Sequence, residues 1–137
     1  AKKLKYSKEK LDSLVEKAMK LTKLSEFKKE NPYNLPYSMR KFVTIASIIA
    51  MDCDVIIMDE PTAGQDYFGM QVLHNLIEGL NKEGKTVITI THDMEFAKEV
   101  SDRLIFMADG EIIEEGSPEE IFNSKHERTR AFLGNAD

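Results

Sequence analysis

Two adjacent carboxylates, Asp59 and Glu60, directly follow an apolar run at residues 55–58. The run has the length and composition of a short buried strand, and Pro61 ends it. In parallel α/β sheets, ligands bind beyond the carboxyl ends of the strands. A carboxylate pair at that position suits the binding of Mg²⁺ and the polarisation of a water molecule. The alternative interpretation is an acidic loop that merely follows a strand.

A histidine occupies a comparable position further along the chain. Residues 86–91 are β-branched throughout, which is typical of a strand buried on both faces, and His92 follows them directly. We therefore expect the His92 ring to stand in the same crevice as Asp59 and Glu60. The alternative is a histidine that only packs at a strand end.

Hydrophobic periodicity predicts the elements that position these residues. Ser7 begins a helix that ends near Leu24, and Ser38 caps a deeply buried helix over residues 39–51. Further helices are predicted at 67–80, at 94–100 and after Ser117, and a β-hairpin at 103–107 and 111–115. The alternation of strand and helix predicts an α/β fold, with helices packed against a parallel sheet.

Several of these segments together resemble ABC (ATP-binding-cassette) ATPases. Asp59-Glu60-Pro61-Thr62 and Ala63-Gly64-Gln65-Asp66 resemble the family's Walker B motif and D-loop, and His92-Asp93 resembles its switch-histidine loop. The resemblance implies a partial P-loop NTPase core with parallel strands, helices on both faces, a C-terminal β-hairpin and part of the helical subdomain. It places residues 1–36 in the helical subdomain, 37–122 in the C-terminal part of the core and 123–137 in a tail.

The resemblance also implies ATP and Mg²⁺ as cofactors and a role for each site residue. Asp59 would bind the metal, and Glu60 would orient or deprotonate the attacking water. His92 would contact the γ-phosphate. Asp66 would act across a dimer interface, and it is equally suited to cap the helix that follows it.

The family's signature loop is altered in this chain. Positions 35–39 read Leu-Pro-Tyr-Ser-Met where the family has Leu-Ser-Gly-Gly-Gln. Neither glycine is present, Pro36 has no N–H to donate, and Tyr37 is bulky. We expect only Ser38 and Met39, at the start of the following helix, to face the ATP of a partner subunit.

A second segment matches the sequence pattern of a nucleotide-binding motif but not the structure that the motif requires. Residues 79–86 read Gly-Leu-Asn-Lys-Glu-Gly-Lys-Thr, which fits the Walker A pattern. A phosphate loop must leave a strand and enter a helix, whereas here a helix is predicted before the loop and a strand after it. We therefore reject residues 79–86 as a phosphate loop. We expect that loop, and the rest of the sheet, to lie upstream of residue 1.

Composition narrows the class of protein. The 137 residues carry a formal net charge of −5 and one cysteine, Cys53, which fits a reducing compartment. No apolar run approaches the length of a membrane span, and no secretory signal opens the chain. Lysines crowd the first thirty residues, but they alternate with acids and no aromatic ladder accompanies them. A solvated helix face is therefore favoured over a nucleic-acid interface.

These observations predict an ATP-binding, ATP-hydrolysing subunit of an ABC transporter. Its expected partners are transmembrane transporter subunits and a second ATPase domain in a head-to-tail dimer. Its expected location is cytoplasmic and peripheral, at the inner face of the cell membrane. The Ala-Gly-Gln-Asp D-loop and the altered signature, with its Arg-Lys-Phe-Val continuation at residues 40–43, resemble those of energy-coupling-factor or cobalt-type importers. Two alternatives stay open: a soluble ABC ATPase acting on nucleic acid or the ribosome, and a catalytically degenerate regulatory half. The isolated chain is expected to be inactive.

Overall fold

The computed structural model describes residues 6–134, which fall into two compact units divided between Ile90 and Thr91. Lys2, Lys3 and Lys5 of the basic N-terminal cluster, and the last three residues of the predicted tail, lie outside the described residues. The predicted three-part division of the chain stays a prediction.

The first unit contains three helices and two strands, with two short 3₁₀ turns at Ser25–Phe27 and Pro32–Asn34 between the first two helices. In chain order these elements are α1 (Lys8–Leu21), α2 (Tyr37–Ile49), β1 (Val55–Asp59), α3 (Tyr67–Lys82) and β2 (Thr86–Ile90).

Helix α1 begins where the sequence predicts and ends earlier. The Ser7 hydroxyl accepts a hydrogen bond from the Lys10 N–H at 3.2 Å, which satisfies one of the free donors of the first turn. The helix ends at Leu21 rather than near Leu24, because Lys23 adopts a left-handed backbone (φ 58°) that cannot continue it.

Two predictions for α2 are wrong. The helix begins at Tyr37, so Pro36 is its N-cap and Ser38 lies inside the first turn without capping it. The fixed φ of Pro36 suits the position before a helix, which explains the earlier start. The helix is also not deeply buried, because only Phe42, Ala46 and Ile49 are buried while Ile48 is 41% exposed.

Strands β1 and β2 pair in parallel, from Val55 beside Thr86 to Asp59 beside Ile90. The β1 face that carries Ile56 and Met58 is buried. The opposite face of the pair exposes about half of each of four apolar side chains: Val55, Ile57, Ile88 and Ile90. The prediction of burial on both faces is therefore wrong for β2 in the described residues, and β1, predicted to be buried, is buried on one face only.

Helix α3 presents the apolar face that its sequence predicts. Leu73 and Leu76 are fully inaccessible to solvent, and the neighbouring core positions of the same face are also buried: Val72, Ile77 and Leu80. The helix is anchored along its whole length, so the loops at its two ends have a common rigid support.

The second unit contains the predicted hairpin and three short helices. Its elements are α4 (Met94–Val100), β3 (Leu104–Ala108), β4 (Glu111–Gly116), α5 (Pro118–Phe122) and α6 (Glu127–Phe132). The strands β3 and β4 pair in antiparallel fashion. Asp93 caps α4, and Ser117 with Glu120 forms the predicted capping box of α5. The fold class is α/β, as predicted.

The predicted tail is packed against β3 and β4 over its described residues. Thr129 anchors helix α6. It is buried, and its hydroxyl group donates a hydrogen bond to the Glu114 carboxylate at 2.6 Å. The Phe132 ring lies 5.0 Å from that of Phe106. Hydrogen bonds from Ser124 and Thr129 hold the pKa of Glu114 below its ordinary value.

Among the helices of the described residues, none combines the length and the apolar character that crossing a bilayer requires.

Candidate functional site

The carboxylate pair lies where β1 ends. Asp59 is the last residue of the strand and is exposed. Glu60 follows with a left-handed backbone (φ 46°), and its N–H donates to the Ile90 carbonyl at 2.8 Å. A left-handed conformation is uncommon for a residue other than glycine, and strained backbone of this kind clusters at functional sites. The backbone of Glu60 thus adopts an unfavourable conformation at the carboxyl end of a parallel strand.

Residues 60–66, here called the acidic loop, form a compact turn between β1 and α3. The Ala63 N–H donates to the Glu60 carbonyl at 3.3 Å, and the Gln65 N–H donates to the Thr62 carbonyl at 3.0 Å. Gly64 supplies the left-handed position (φ 73°) that this turn requires.

Asp66 closes the acidic loop by capping α3. Its carboxylate accepts a hydrogen bond from the Gly69 N–H at 2.8 Å, so the predicted capping role is confirmed. A carboxylate at this end also complements the positive end of the helix dipole. Its predicted action across a dimer interface stays a prediction.

The start of α2 lies against the acidic loop. A Cβ atom placed on Gly64 would lie 3.6 Å from the Tyr37 ring, although that side chain is 79% exposed. Ser38 and Met39, both half-buried, occupy the same first turn. The structure thus brings the altered signature segment to the acidic loop of the same chain.

Lys41 contacts the acidic loop, and sequence reasoning missed it. Its ammonium group donates to the Glu60 carbonyl at 2.5 Å and to the Ala63 carbonyl at 3.2 Å. The available signal was the adjacent Arg40 and Lys41 near the start of a helix whose later residues are mostly apolar, and such cations are usually read as solvated side chains.

His92 belongs to the second unit and is exposed in the turn that precedes α4. The neighbouring Asp93 N–H donates to the Thr91 hydroxyl at 3.0 Å, which fixes the backbone on either side of the histidine. The expected crevice shared by His92, Asp59 and Glu60 stays a prediction.

The rejected phosphate loop joins a helix to a strand, as predicted. Helix α3 ends at Lys82, and residues 83–85, here called the lysine loop, lead into β2. Gly84 is left-handed (φ 77°), and its N–H donates to the Asn81 carbonyl at 2.8 Å. This is a helix C-cap, so the N-terminal end of α3 points away from the lysine loop.

Lys85 of the lysine loop is bound to carboxylates. Its ammonium lies 3.0 Å from the Asp52 carboxylate and 3.6 Å from that of Asp54. The hydrogen bond between Lys85 and Asp52 lowers the pKa of Asp52 and raises the pKa of Lys85. This lysine is therefore part of the scaffold before β1 and is not presented to a phosphate.

The carboxylate pair fits Mg²⁺ that is bound together with a nucleotide. Among residues 6–134, no group of three or more His, Cys, Asp or Glu side chains is arranged to hold a metal ion alone. Magnesium in phosphoryl-transfer sites is held by one or two carboxylates, by waters and by the substrate phosphates. Asp59, exposed at the end of β1, supplies one such carboxylate, with Glu60 next to it in the chain.

Comparison with known proteins gives a consistent result. The chain is 44% identical over 130 residues to the energy-coupling factor transporter ATP-binding protein EcfA2 of Methanospirillum hungatei, covering 95% of this chain and 33% of that protein. It is 39% identical over 126 residues to the energy-coupling factor transporter ATP-binding protein EcfA of Methanocaldococcus jannaschii, covering 92% of this chain and 45% of that protein. The chain thus spans a third to under a half of the length of these relatives.

Solved structures agree. The cbiO1 protein of Clostridium perfringens, described as part of the ABC transporter complex cbiONQ, superimposes with a TM-score of 0.79 at 31% identity, over 90% of this chain and 49% of that one. MJ1267, an ATP-binding cassette of an ABC transporter, superimposes with a TM-score of 0.75 at 28% identity, over 90% of this chain and 48% of that one. No protein-family model matches the chain.

Proposed function

We propose a function from the premise that this chain belongs to the ATP-binding-cassette (ABC) ATPase family. Its residues form the part of an ATP-hydrolysing domain that binds Mg²⁺, orients the attacking water and contacts a second ATPase domain. The observation that carries this proposal is the carboxylate pair at the end of β1, followed by a compact loop that enters α3 through a capping aspartate. The phosphates of the nucleotide are held by a loop other than residues 79–86.

Each site residue has a distinct task in this proposal. Asp59 holds Mg²⁺, which when bound neutralises charge on the transferred phosphoryl group. Glu60 orients the attacking water and accepts its proton. His92 contacts the γ-phosphate. Glu60 is half-buried and Asp59 is exposed, which suits a site that opens on one side to a ligand.

The proposal extends to partners and location through the relatives' names. Relatives named as energy-coupling factor ATP-binding proteins support an importer subunit of that type. Such a subunit acts as a head-to-tail pair, with Ser38, Met39 and Asp66 facing the partner's nucleotide. It drives transmembrane subunits from the cytoplasmic face of the membrane.

The experiment uses a chimera that supplies a complete domain. This chain replaces the matched 130 residues of the Methanospirillum hungatei relative, which keeps that protein's own remaining sequence. We expect Mg²⁺-dependent ATP hydrolysis by the chimera. Glu60→Gln should lower kcat by about 10²–10³-fold, because it removes the base, while Mg-ATP binding is retained.

Glu78→Gln is the matched control, because it makes the same change on the exposed side of α3. It should leave kcat within about twofold of the unmodified chimera, as expected of a surface site. A chimera that binds and hydrolyses ATP equally well with and without the Glu60 carboxylate would contradict the proposed function.

A further inference from the structure

We propose that Lys41 is a positioning residue that fixes the backbone of Glu60 and of the turn that follows. The inference rests on the function proposed above, since the position of Glu60 matters to a reaction only if that carboxylate acts on water. Lys41 lies in the Arg-Lys-Phe-Val stretch that follows the altered signature, but the resemblance gives it no role, and its assignment here comes from its contacts.

The contacts of Lys41 connect one helix to two points of the acidic loop. Its ammonium donates to the Glu60 and Ala63 carbonyls at 2.5 and 3.2 Å. An ammonium offers three donors and accepts nothing, so two carbonyl acceptors suit it. Hydrogen bonds from a charged donor are about twice as strong as neutral ones. The two carbonyls flank the part of the loop that turns the chain away from β1.

Glu60 needs such a restraint because its backbone is left-handed. A strained residue persists only where its surroundings fix it. Three hydrogen bonds meet at its peptide groups: its N–H donates to Ile90, and its carbonyl accepts from Ala63 and from Lys41. Lys41 is the one side chain among these partners. Its removal would take the charged donor away from the Glu60 and Ala63 carbonyls.

The support behind Lys41 is rigid. The next residue of α2, Phe42, is 3% exposed, so this turn of the helix is anchored in the core of the first unit. The Tyr37 ring at the start of α2 lies near Gly64, where an added Cβ would come within 3.6 Å of it. The same first turn carries Ser38 and Met39, so Lys41 joins the segment proposed to face a partner's nucleotide to the carboxylate proposed to act on this chain's own.

The consequence for catalysis is a positional effect. A misplacement of about 1 Å at a reacting group can cost about 10²-fold in rate. Loss of Lys41 should therefore lower kcat more than it changes KM for Mg-ATP, because Lys41 contacts the loop rather than the nucleotide. A purely structural lysine would instead lower the stability of the whole unit.

The first test measures amide hydrogen exchange in the 137-residue chain. Lys41→Met keeps the length of the side chain and removes the ammonium. We expect the Ala63 and Gln65 amides to exchange about tenfold faster, which is the effect of losing one charge-assisted hydrogen bond. The Leu76 and Ile77 amides in α3 should be unchanged. Equal acceleration at all four amides, or at none, would overturn the inference.

The second test measures ATP hydrolysis in the chimera described above. We expect Lys41→Met to lower kcat about tenfold with KM within twofold, and Lys41→Arg, which keeps charged donors, to recover most of the rate. Lys82→Met is the matched control, because Lys82 is 71% exposed and pairs along its own helix with Glu78. Should Lys41→Met fail to fold, Lys41→Gln replaces it.

The outcomes separate this inference from the proposed function. An unmodified chimera that does not hydrolyse ATP overturns the proposed function, and the inference with it. An active chimera that needs Glu60 but keeps its kcat in Lys41→Met overturns the inference alone. A fall in kcat that Lys82→Met reproduces also overturns it, because the effect would then come from lost surface charge.

Discussion

The two loops at the ends of α3 resemble each other in sequence and differ in structure. Both the acidic loop and the lysine loop are short, and each contains one left-handed glycine, with φ 73° at Gly64 and 77° at Gly84. Each loop also lies in a segment whose sequence matches the pattern of a nucleotide-binding motif. The acidic loop leaves a strand and enters a helix, whereas the lysine loop leaves a helix and enters a strand.

The direction of the chain decides what each loop can do. The N-terminal end of a helix carries free N–H groups and partial positive charge, and the C-terminal end carries free carbonyls and partial negative charge. The carboxylate of Asp66 complements the positive N-terminal end of α3, and Lys82 lies in the last turn, at the negative C-terminal end. Lys85 is engaged with Asp52. A sequence motif is therefore informative only together with the order of the helices and strands around it.

The largest expected effect tests whether α3 is the common support of both loops. Leu76→Ala removes a side chain with no solvent exposure, which should cost about 2–5 kcal/mol in the free energy of unfolding. Urea denaturation measures the loss, and amide exchange should accelerate in both loops together. Gln71→Ala, on the exposed side of α3, is the control and should stay within about 0.5 kcal/mol. Protection lost in one loop alone would show that α3 does not support both.

A matched pair of glycine substitutions separates backbone strain from function. Gly64→Ala and Gly84→Ala each place a side chain on a left-handed residue, which should cost about 1–2 kcal/mol in either loop. A new Cβ meets only an ordinary contact with Tyr37 at Gly64, and open space at Gly84. The losses of stability should therefore be similar.

The two substitutions should differ in activity. In the chimera, Gly64→Ala should lower ATP hydrolysis, because it strains the turn that positions Glu60, while Gly84→Ala leaves the rate within about twofold. Equal losses in the rate of ATP hydrolysis would contradict the proposed difference between the acidic loop and the lysine loop in their effect on catalysis.

Local signals predicted much of this fold. The Ser117 capping box, the Asp66 cap and the apolar face of α3 all depend on residues within one or two helical turns of each other. Such patterns are visible in a sequence because the interacting residues recur at fixed short spacings. The start of α2 was missed because two capping signals competed, and the fixed backbone of Pro36 prevailed over the Ser38 hydroxyl.

Contacts between distant segments could not be predicted in the same way. Lys41 reaches a carbonyl 19 residues away, and Lys85 reaches an aspartate 33 residues away. Neither pair has a repeating spacing. The exposure of Ile57 and Ile88 likewise depends on what packs against the sheet, which strand propensity does not report. The carboxylates of the candidate site were found because a motif assigns them a role, whereas no motif assigns a role to Lys41, which contacts the loop that carries Glu60.

The smallest expected effect is at Lys85, where the comparison of the loops is most direct. We expect no Mg-ATP binding by the 137-residue chain in calorimetry, with or without Lys85→Ala, because the lysine loop does not face a helix N-terminus. The substitution should lower the melting temperature by less than either glycine substitution, since the ion pair is partly exposed. Binding that Lys85→Ala abolishes would identify residues 79–86 as a phosphate loop.

The pH dependence of the small decrease in melting temperature caused by Lys85→Ala identifies the interaction that is lost. The hydrogen bond from Lys85 lowers the pKa of Asp52, so its stabilisation is present above the ordinary value of 3.8 and is lost as the pH falls through the lowered value. The same bond raises the pKa of Lys85, so that stabilisation is present below 10.5 and is lost as the pH rises through the raised value. The difference in melting temperature between wild type and Lys85→Ala should therefore be constant near neutral pH and shrink in strong acid and strong base. A difference that persists in acid would mean that Lys85 stabilises the chain through packing rather than through Asp52.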